Sequence, residues 1–469
     1  MKTLLIFPPQ QGMIKTSVPN FINQKLGHYP PLGLLYIASY MEKHSSHEVT
    51  VLDTQVEEMG YPEIKAAVER IKPDLVGIYT LTFALMDALK VAAVVKSADE
   101  RILVCSGGPH PTIYPRETVA QKNVDFAVSG EGEAAFLKLA DTLAAGGDLR
   151  QVPGLTFKEA GAAVTNPKAD PIENLDELPF PSRRSLPYGK YTSIIAKTAP
   201  VTTFISSRGC PFNCSFCATS RQRWRPRSVE NIIAELEECV ALGIREFFFF
   251  DDTFAISKER VLKLCAAIEA RGLKILFDIR TRVDTVDAEM LAALKKAGCE
   301  RVQYGVEAGT PEILATLKKG IDLDRVRAIF KTTRDLGITT FADFMIGSPG
   351  ETREHIKKTV DFALELKPDF VQFSITTPFP ATELYDESLR LGVFSEDYWQ
   401  KYAQNPDENF TPSLWNEHLT REELENLTKQ AYKRFYLRPS YVLKKAAGIR
   451  SFGELARHVV AGLHLLKVR

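Results

Sequence analysis

The first third of the chain alternates short apolar runs with segments whose apolar residues recur at helical spacing. Such strand–helix alternation is typical of a parallel, doubly wound sheet. The predicted strands cover residues 3–8, 48–53, 74–79, 102–106 and 125–129, and the predicted helices 31–43, 61–71, 84–97 and 133–144. The pattern therefore predicts an α/β domain over residues 1–145.

The alternation resumes after a proline-rich stretch. Residues 146–195 have no strong period and are predicted to be a linker with a short hairpin at 155–164. Strands are then expected at 201–207, 245–250, 274–282, 301–307, 340–346 and 370–376, with helices at 228–242, 257–271, 287–297, 311–318, 323–336 and 353–367. These units form a second predicted α/β domain over residues 196–385, and residues 386–469 are predicted to be helical.

Several strands of the second domain carry polar residues with period two, whereas strands buried on both faces are normally apolar throughout. The polar positions that share a face are Asp278, Arg280 and Arg282; Gln303, Gly305 and Glu307; and Gln372, Ser374 and Thr376. One face of this sheet is therefore expected to line a polar lumen that holds a cofactor. The alternative is a structural layer of ion pairs.

Composition narrows the class of protein. The chain has 469 residues, 45% of them apolar and 25% charged, with a net charge of zero, which gives no support for a nucleic-acid partner. Seven cysteines, an odd number, argue against a disulfide framework and for a reducing compartment, the cytoplasm. No apolar run approaches the ~18 residues that a membrane-spanning helix needs.

Three of those cysteines, Cys210, Cys214 and Cys217, are spaced C-x3-C-x2-C directly after a predicted strand. Three thiolates leave one iron of a cubane iron–sulfur cluster without a protein ligand, and an open metal position is a place for chemistry. The alternative is a structural zinc site, which wants a fourth ligand. The next cysteine, Cys239, lies in a helical pattern.

This cysteine motif resembles the signature of the radical S-adenosylmethionine (radical SAM) superfamily. The resemblance implies a [4Fe-4S] cluster whose open iron chelates the amino and carboxylate groups of SAM, and reductive cleavage of SAM to a 5′-deoxyadenosyl radical. It also implies that the second domain is an open, partial (β/α)6 barrel. An external electron donor such as flavodoxin or ferredoxin would then be required.

Further motifs match the family, and the resemblance implies their roles. Phe216 would place its backbone against the adenine of SAM, Glu307 would contact SAM from the fourth strand, and the backbone at Gly347 would approach the adenine. Asp251 and Asp252 stand where the family often has Gly-Gly-Glu, and either could meet the SAM amino group. Arg280 and Arg282 are candidates for the SAM carboxylate, because guanidinium groups pair with carboxylates through two hydrogen bonds.

In the first domain, polar and glycine-rich turns follow the predicted strands, where doubly wound sheets bind ligands. The segments 27–38, 107–112 and 130–133 resemble the cobalamin-binding domain of one radical SAM branch. The candidate cobalamin-binding residues are Pro9, Gln55, Thr80, Thr82, Gly107, Gly108, His110, Gly130, Glu131 and Gly132.

One feature departs from that resemblance. Many cobalamin domains carry Asp-x-His-x-x-Gly, whose histidine ligates cobalt, but here Asp53 is followed by Gln55 at the histidine position. Cobalamin is therefore expected to bind base-off without a histidine from this motif, with His110 as a weak alternative ligand. A domain that no longer binds cobalamin is the other interpretation.

Together the resemblances imply a cobalamin-dependent radical SAM methyltransferase that uses two SAM molecules, one to generate the radical and one to supply the methyl group. An oxidative cyclase or carbon–carbon bond-forming enzyme, like the anaerobic magnesium-protoporphyrin monomethyl ester cyclase, is the second interpretation. A methylthiotransferase fits less well, because the N-terminal domain lacks a second cysteine cluster. A cobalamin or iron–sulfur sensor is the non-enzymatic alternative.

The substrate is expected to be a small or lipid-like molecule, which the sequence does not identify. The end of the chain is basic and amphipathic, with apolar residues at helical spacing between 452 and 466. Such a helix either packs on the barrel or contacts a membrane surface peripherally.

Overall fold

The computed structural model describes residues 1–14, 27–415 and 417–448. These residues form a mostly parallel N-terminal sheet and a parallel second sheet, each covered by helices, and a group of C-terminal helices. The predicted α/β class, with a doubly wound N-terminal domain and a partial barrel, is confirmed.

The N-terminal sheet has seven strands in the order β2-β1-β3-β4-β5-β6-β7. Its first five strands are parallel, and β6 and β7 are added antiparallel at one edge. The strands are β1 (Lys2–Phe7), β2 (Glu48–Asp53), β3 (Leu75–Tyr79), β4 (Leu103–Gly107), β5 (Phe126–Val128), β6 (Leu155–Glu159) and β7 (Ala162–Thr165). The helices are α1 (Leu32–His44), α2 (Tyr61–Ile71), α3 (Leu85–Ala98), α4 (Pro109–Ile113), α5 (Pro115–Ala120) and α6 (Gly132–Ala145).

Strand β1 shows why this sheet is buried on both faces. Leu5 packs into the core that contains α1 and α6, whereas Leu4 and Ile6 pack into the core that contains α2 and α3. Since neighbouring side chains point to opposite faces, a continuous apolar run covers both cores.

Part of the predicted linker has a place in this sheet. The hairpin expected at 155–164 forms as β6 and β7, and β6 pairs with β5. Short 3-10 turns, Leu175–Glu177, Arg183–Ser185 and Tyr188–Lys190, lead from there to the second sheet. The domain boundaries drawn from the sequence remain predictions.

The second sheet has six parallel strands in the order β15-β14-β13-β12-β11-β8. They are β8 (Val201–Phe204), β11 (Glu246–Phe249), β12 (Leu276–Arg282), β13 (Cys299–Glu307), β14 (Thr339–Ile346) and β15 (Phe370–Ile375). The helices between them are α7 (Val229–Ala241), α8 (Lys258–Ala270), α9 (Ala288–Lys296), α10 (Pro311–Thr316), α11 (Leu323–Asp335) and α12 (Arg353–Leu366). A two-stranded ribbon, β9 (Ser207–Arg208) with β10 (Arg225–Pro226), interrupts the first of these connections.

Burial alternates residue by residue along β14 and β15, whereas β8 and β11 are buried throughout. In β14, Thr340, Ala342, Phe344 and Ile346 are buried, while the residues between them are half-buried. The buried set packs against the outer helices, so the half-buried set lines the lumen.

The C-terminal helices are α13 (Glu383–Arg390), α14 (Tyr398–Gln404), α15 (Arg421–Tyr436) and α16 (Pro439–Gly448). Tyr432 and Tyr436 of α15 donate to the carbonyls of Phe373 and Val371 at 3.1 and 2.8 Å and accept hydrogen bonds from the same residues' N–H groups. Helix α15 therefore covers the outer edge of β15, whose backbone groups would otherwise be free to pair with another strand.

The predicted amphipathic segment at 452–466 lies outside the described residues. Across residues 1–14, 27–415 and 417–448, no helix is long and apolar enough to cross a bilayer.

Candidate functional site

The three clustered cysteines lie on one loop that leaves β9 and returns to β10. The loop begins at Gly209, where φ is +85° and a Cβ atom would lie 2.3 Å from the Arg223 carbonyl oxygen, so a side chain would collide with the returning strand. The Gln222 N–H donates to the Cys210 carbonyl at 2.9 Å and draws the two arms together. The loop is therefore a closed unit anchored at the barrel mouth.

Each of the three sulfur atoms has a polar neighbour. Cys210 Sγ lies 3.5 Å from Thr253 Oγ1, Cys217 Sγ lies 3.3 Å from Thr219 Oγ1, and Arg282 Nη1 donates to Cys214 Sγ at 3.4 Å. Burial raises the pKa of Cys214, while the charges of Lys319 and Arg282 oppose the rise. Hydrogen bonds to the cysteine sulfurs are one of the means by which a protein sets the reduction potential of an iron–sulfur cluster.

The donor set fits an iron–sulfur cluster. Cys210 and Cys214 are buried and Cys217 is half-buried, so all three belong to one shielded surface. In the part of the chain that the structure describes, no group of three or more His, Cys, Asp or Glu side chains is arranged to hold a metal ion.

The two aspartates after β11 have different environments. Asp251 is buried and accepts hydrogen bonds from the Ser206 N–H and hydroxyl at 2.7 and 2.6 Å and from the Ser207 hydroxyl at 2.5 Å. Asp252 is exposed and accepts one from the Gly209 N–H at 3.0 Å. Asp251 therefore holds the chain between β8 and β9, and Asp252 is the carboxylate open to a ligand.

The two arginines of β12 also differ. Arg282 is buried, pairs with Asp284 at 2.8 Å and donates to the Lys319 carbonyl at 2.6 Å besides contacting Cys214. Arg280 stacks on the Phe250 ring, 4.2 Å from its centroid, and is exposed to the lumen. Although its surface is open to the lumen, the surrounding protein atoms desolvate Arg280 and lower its pKa, and the charge of Asp343 opposes the change. Arg280 is therefore the arginine that remains accessible to a ligand carboxylate.

Glu307 ends β13 in a left-handed conformation, with φ of +70°. Its carboxylate accepts a hydrogen bond from Lys319 Nζ at 2.9 Å, and both side chains are buried. A Cβ on Gly305 would lie 2.4 Å from Glu307 Oε1, so this pair needs a glycine at 305. A left-handed non-glycine residue of this kind is a feature of functional sites.

Phe216 and Gly347 have different neighbours. Phe216 packs against the barrel core, with Lys319 Nζ 6.0 Å from its ring centroid. At Gly347, where φ is +82°, a Cβ would lie 2.9 Å from Leu424 of α15. Leu424 of helix α15 therefore fills the space that a side chain at position 347 would need.

The lumen contains both an ion-pair layer and open polar groups. Arg301 forms ion pairs with Asp278 and Glu246 at 2.5 and 2.6 Å. These pairs form the structural ion-pair layer that was the alternative interpretation of the polar strand positions. Farther along, Gln303 Nε2 donates to Asp343 Oδ2 at 2.7 Å, while Asp343 Oδ1 is buried without a hydrogen-bond partner among the described residues. Burial, with a contribution from Glu307, raises the pKa of Asp343 to about 7.

A cavity of about 410 Å³ lies between the N-terminal sheet and the cysteine loop. Its inner wall is apolar and includes Leu5, Cys105 and Phe136 from the sheet and α6. Its outer rim comprises the loops Gly107–Gly108 and 130–133 from the first domain and Ser207, Arg208, Gly209, Gln222 and Asp252 from the second. An apolar slot with a polar rim at strand ends suits the nucleotide tail and rim amides of a corrinoid.

The predicted cobalamin residues divide into two groups. Gly107, Gly108, Gly130, Glu131 and Gly132 line this cavity. No neighbouring atom lies within 4 Å of the position that a Cβ would take on Gly107 or Gly130, so both glycines border open space. The residues that do not line it are Pro9, Gln55, Thr80, Thr82 and His110.

Those outside the cavity have local partners. Gln55 Nε2 donates to the Pro8 carbonyl at 2.9 Å, and the Thr80 and Ser106 hydroxyls lie 2.7 Å apart. His110 is fully buried, with Nδ1 3.2 Å from Thr82 Oγ1, and burial lowers its pKa to about 4. Its buried Nε2 has no hydrogen-bond partner within the described ranges, and His110 is not among the residues that line the cavity.

Several residues of the site were missed by sequence reasoning. Thr253 lies beside Cys210 Sγ, Lys319 pairs with Glu307, and Arg208, Gln222 and Arg225 line the cavity. Arg208 and Gln222 belong to the cysteine motif's own flanks, where a search could have begun. Lys319 lies 102 positions beyond Cys217 and carries no local signal.

Comparison with known protein families adds two findings. Residues 204–363 match the Radical SAM superfamily, and residues 23–140 match the B12 binding domain. The first range contains the cysteine loop and most of the barrel, and the second contains the glycine loops that line the cavity.

Individual relatives span nearly the whole chain. The chain is 36% identical to an uncharacterized methyltransferase, PH0819, of Pyrococcus horikoshii, over 99% of this chain and 98% of the relative. It is 28% identical to the anaerobic magnesium-protoporphyrin IX monomethyl ester cyclase of Rubrivivax gelatinosus, over 89% of this chain and 75% of that protein. The fold is similar to that of the cobalamin-dependent SAM radical enzyme OxsB, solved with aqua-cobalamin and SAM, with a TM-score of 0.76 and 19% identity over 100% of this chain and 71% of OxsB.

Proposed function

Because the chain belongs to the radical SAM superfamily, in the branch that carries an N-terminal B12 binding domain, we propose that it is a cobalamin-dependent radical SAM methyltransferase. It would cleave SAM reductively and transfer a methyl group to an unactivated carbon of a small molecule. The non-enzymatic sensor interpretation is set aside, since the family is one of enzymes.

The observation that supports this proposal most is the shared cavity. Its wall includes Gly107 and Gly130 of the B12 binding domain and Gly209 and Asp252 beside the cysteine loop. A corrin in this cavity would therefore border the base of the loop whose cysteines would hold the cluster. Methyl transfer needs both groups to reach one substrate, because positioning supplies much of the rate.

The chain's own residues would bind and orient the reactants. Cys210, Cys214 and Cys217 would hold the cluster. Asp252, exposed at the barrel mouth, would accept a hydrogen bond from the SAM amino group, and Arg280, exposed in the lumen, would bind the SAM carboxylate. The cluster and corrin, when bound, supply electron transfer to SAM and methyl-group transfer.

Glu307, Phe216 and Gly347 would complete the SAM site. Glu307 is held by Lys319, so its carboxylate presents a fixed acceptor to the ribose or amino group. Phe216 and the Gly347 backbone would flank the adenine. Arg282 is proposed to support Cys214 rather than to bind SAM, because its donors already contact Asp284, Lys319 and the sulfur.

For the corrin, the glycine-lined rim would accept the macrocycle edge and the apolar slot its nucleotide tail. Gln55 donates to Pro8, so a lower cobalt ligand from the second-strand motif is not proposed. We therefore propose base-off binding without a histidine ligand, with the nucleotide tail in the apolar slot.

The proposal extends to the cellular compartment, the electron donor and the membrane. The free cysteines suit a reducing compartment, the cytoplasm, and an external donor such as flavodoxin or ferredoxin would deliver the electron. Peripheral membrane contact through the C-terminal segment would bring a lipid-like substrate within reach.

An oxidative cyclase is the second candidate function. The similarity to the magnesium-protoporphyrin cyclase of Rubrivivax gelatinosus favours it, since the alignment with that relative covers 89% of this chain. A cyclase would remove hydrogen from its substrate without transferring a methyl group.

The first experiment is anaerobic reconstitution with iron, sulfide and hydroxocobalamin, followed by desalting and quantification of iron and cobalamin. The reconstituted protein, methyl-labelled SAM and a reductant are then added to cell extract that has been depleted of this enzyme. About one equivalent of base-off corrin and a labelled small molecule are expected. Retained cluster and corrin with 5′-deoxyadenosine but no labelled product would favour the cyclase, and retained cluster without corrin would overturn the methyltransferase.

A further inference from the structure

The base of the cysteine loop is tied to the B12 binding domain by four charged residues, Glu131, Glu133, Arg208 and Arg225, which we call the interdomain clamp. Arg208 in β9 and Arg225 in β10 are paired across the two-stranded ribbon from which the loop emerges. Two guanidinium groups side by side would repel each other unless a negative charge lies between them.

Glu131 provides that charge. Its Oε1 accepts from Arg208 Nη1 at 2.9 Å and from Arg225 Nη2 at 2.8 Å. Its Oε2 accepts from Arg225 Nη1 at 3.1 Å and from the Ile172 N–H at 2.7 Å. A carboxylate has about four acceptor sites, so the hydrogen-bonding capacity of Glu131 is used within the protein rather than on a corrin.

Glu133 adds a second contact to the same ribbon. It accepts from Arg208 Nη2 at 2.6 Å, so Arg208 binds two carboxylates of one loop through two different nitrogens. The side chains of Arg208 and Glu133 are 18% and 4% exposed, which limits screening by solvent. Arg208 also lies over the Tyr36 ring, 5.3 Å from its centroid.

The position of the clamp relates it to both cofactor sites. Arg208 is two residues before Cys210, and Glu131 is flanked by Gly130 and Gly132, which line the cavity. Any shift of the 130–133 loop must therefore be transmitted to the start of the cysteine loop, because bidentate ion pairs fix orientation as well as distance.

We propose that the interdomain clamp is a positioning device that sets the separation of the corrin cavity from the cysteine loop, with Glu131 as its central positioning residue. The inference rests on the proposed function for the identity of the two cofactors. The coupling of the two loops does not depend on it.

Protonation behaviour agrees with a persistent pair. Burial would raise the pKa of Glu131, but the hydrogen bonds and charges of Arg225 and Arg208 outweigh it and lower the pKa to about 2. Burial disfavours the charge on Arg208, yet Glu133 and Glu131 raise its pKa. Both partners therefore stay charged over the range in which the enzyme would be assayed.

The first test is hydrogen exchange on the full chain with its cluster reconstituted and no cobalamin added. Glu131→Gln should speed exchange about tenfold or more in peptides that cover 126–136 and also in those that cover 205–219. Glu173→Gln is the matched control, because Glu173 pairs with Arg223 of the same loop through exposed side chains. Faster exchange confined to 126–136 would overturn the proposal.

The second test measures the separation itself. In protein loaded with cobalamin and reduced, the electron–electron coupling between cobalt(II) and the reduced cluster reports their distance. Glu131→Gln and the milder Glu133→Gln should broaden the distance distribution. If these residues only stabilised the fold, the distribution would stay unchanged. An unchanged distribution in both variants would refute the clamp.

The two hypotheses fail separately. If the unmodified protein retains no cobalamin, the proposed function fails and hydrogen exchange alone decides on the clamp. If it retains cobalamin but the two loops respond independently, the clamp fails and the proposed function stands. Should Glu131→Gln not fold, Arg208→Lys replaces it, because a lysine keeps the charge but cannot bridge Glu131 and Glu133 in the same way.

Discussion

The two parallel sheets of this protein use their strands differently. In the N-terminal sheet, β1 buries four consecutive residues and β3 does the same, so both faces are packed against helices. In the barrel, β8 and β11 are also buried throughout, but β14 and β15 alternate buried and half-buried residues, so only one face of those two strands is packed. The same parallel topology therefore supports two kinds of site.

The difference determines where a ligand can bind. A sheet covered on both faces has free polar groups only at its strand ends, which is where Gly107 and Gly130 line the cavity. A sheet with one open face can place Arg280 and Asp343 along the strands themselves. Four predictions test this division.

The largest effect should come from the cysteine loop. Cys210→Ala should abolish iron retention and SAM cleavage, because two thiolates cannot hold the cluster, while the circular dichroism of both sheets stays unchanged. Iron analysis and 5′-deoxyadenosine assays after reconstitution check this. Cys239→Ala, in the buried face of α7, is the control and should keep its cluster; loss of iron in both variants would contradict the assignment.

A bulky residue at a strand end of the first sheet should remove one cofactor only. Gly107→Leu projects into open space in the cavity, so the fold is preserved and corrin retention should fall on the order of tenfold or more. The matched control is Gly189→Leu, since Gly189 also has no neighbour within 4 Å but is exposed outside the cavity. Corrin content near that of the unmodified protein would show that this cavity is not its site.

The open face of the barrel should respond to pH. The raised folded pKa of Asp343, about 7, exceeds the ~3.9 of an unfolded aspartate, so the folded state binds the proton more tightly. Its contribution to stability is present below about pH 4 and is lost as pH rises to about 7. The melting temperature of Asp343→Asn minus that of the unmodified apo protein should therefore increase as the pH rises from 5 to 8.

Thermal unfolding at intervals of one pH unit tests this expectation. Asp335→Asn, on an exposed stretch of α11, serves as the control. A difference between Asp343→Asn and the unmodified protein that is constant with pH would show that Asp343 does not titrate in this range.

The smallest effects should come from the outer helices of both sheets. Lys65 pairs with Glu69 on α2 and Lys331 pairs with Asp335 on α11, and all four side chains are well exposed. Lys65→Ala and Lys331→Ala should each change the free energy of unfolding by less than about 1 kcal/mol. A larger loss in denaturant titration would mean that the outer charges matter to one of the sheets.

Prediction from the sequence was most successful where the signal is local. Strand β2 was expected at 48–53 and helix α2 at 61–71, and both were found at those bounds. Apolar periodicity reports local burial, so it locates elements well. The short helices α4 and α5 were missed, because the prolines at 109, 111 and 115 read as a turn.

The candidate site was only partly predictable. The cysteine motif and the glycine turns are local in sequence, and the structure brings the glycine turns and the base of the cysteine loop, Gly209 and Gln222, to one cavity. Which of Asp251 and Asp252 stays open to a ligand was not predictable, since Asp251 is bound by the hydroxyls of Ser206 and Ser207. Neither Lys319 nor the role of Glu131 could be inferred, because their partners lie far away in the chain.

The sequence by itself determined the order of strands and helices, the α/β class and the three-cysteine loop, because each follows from spacing within a few residues. Only the tertiary structure decided which polar groups remain open and which are used internally. Glu131 was expected to contact a cofactor, yet the folded chain surrounds it with Arg208 and Arg225, 77 and 94 positions away. Charge pairing over such distances is set by packing, and no local pattern encodes it.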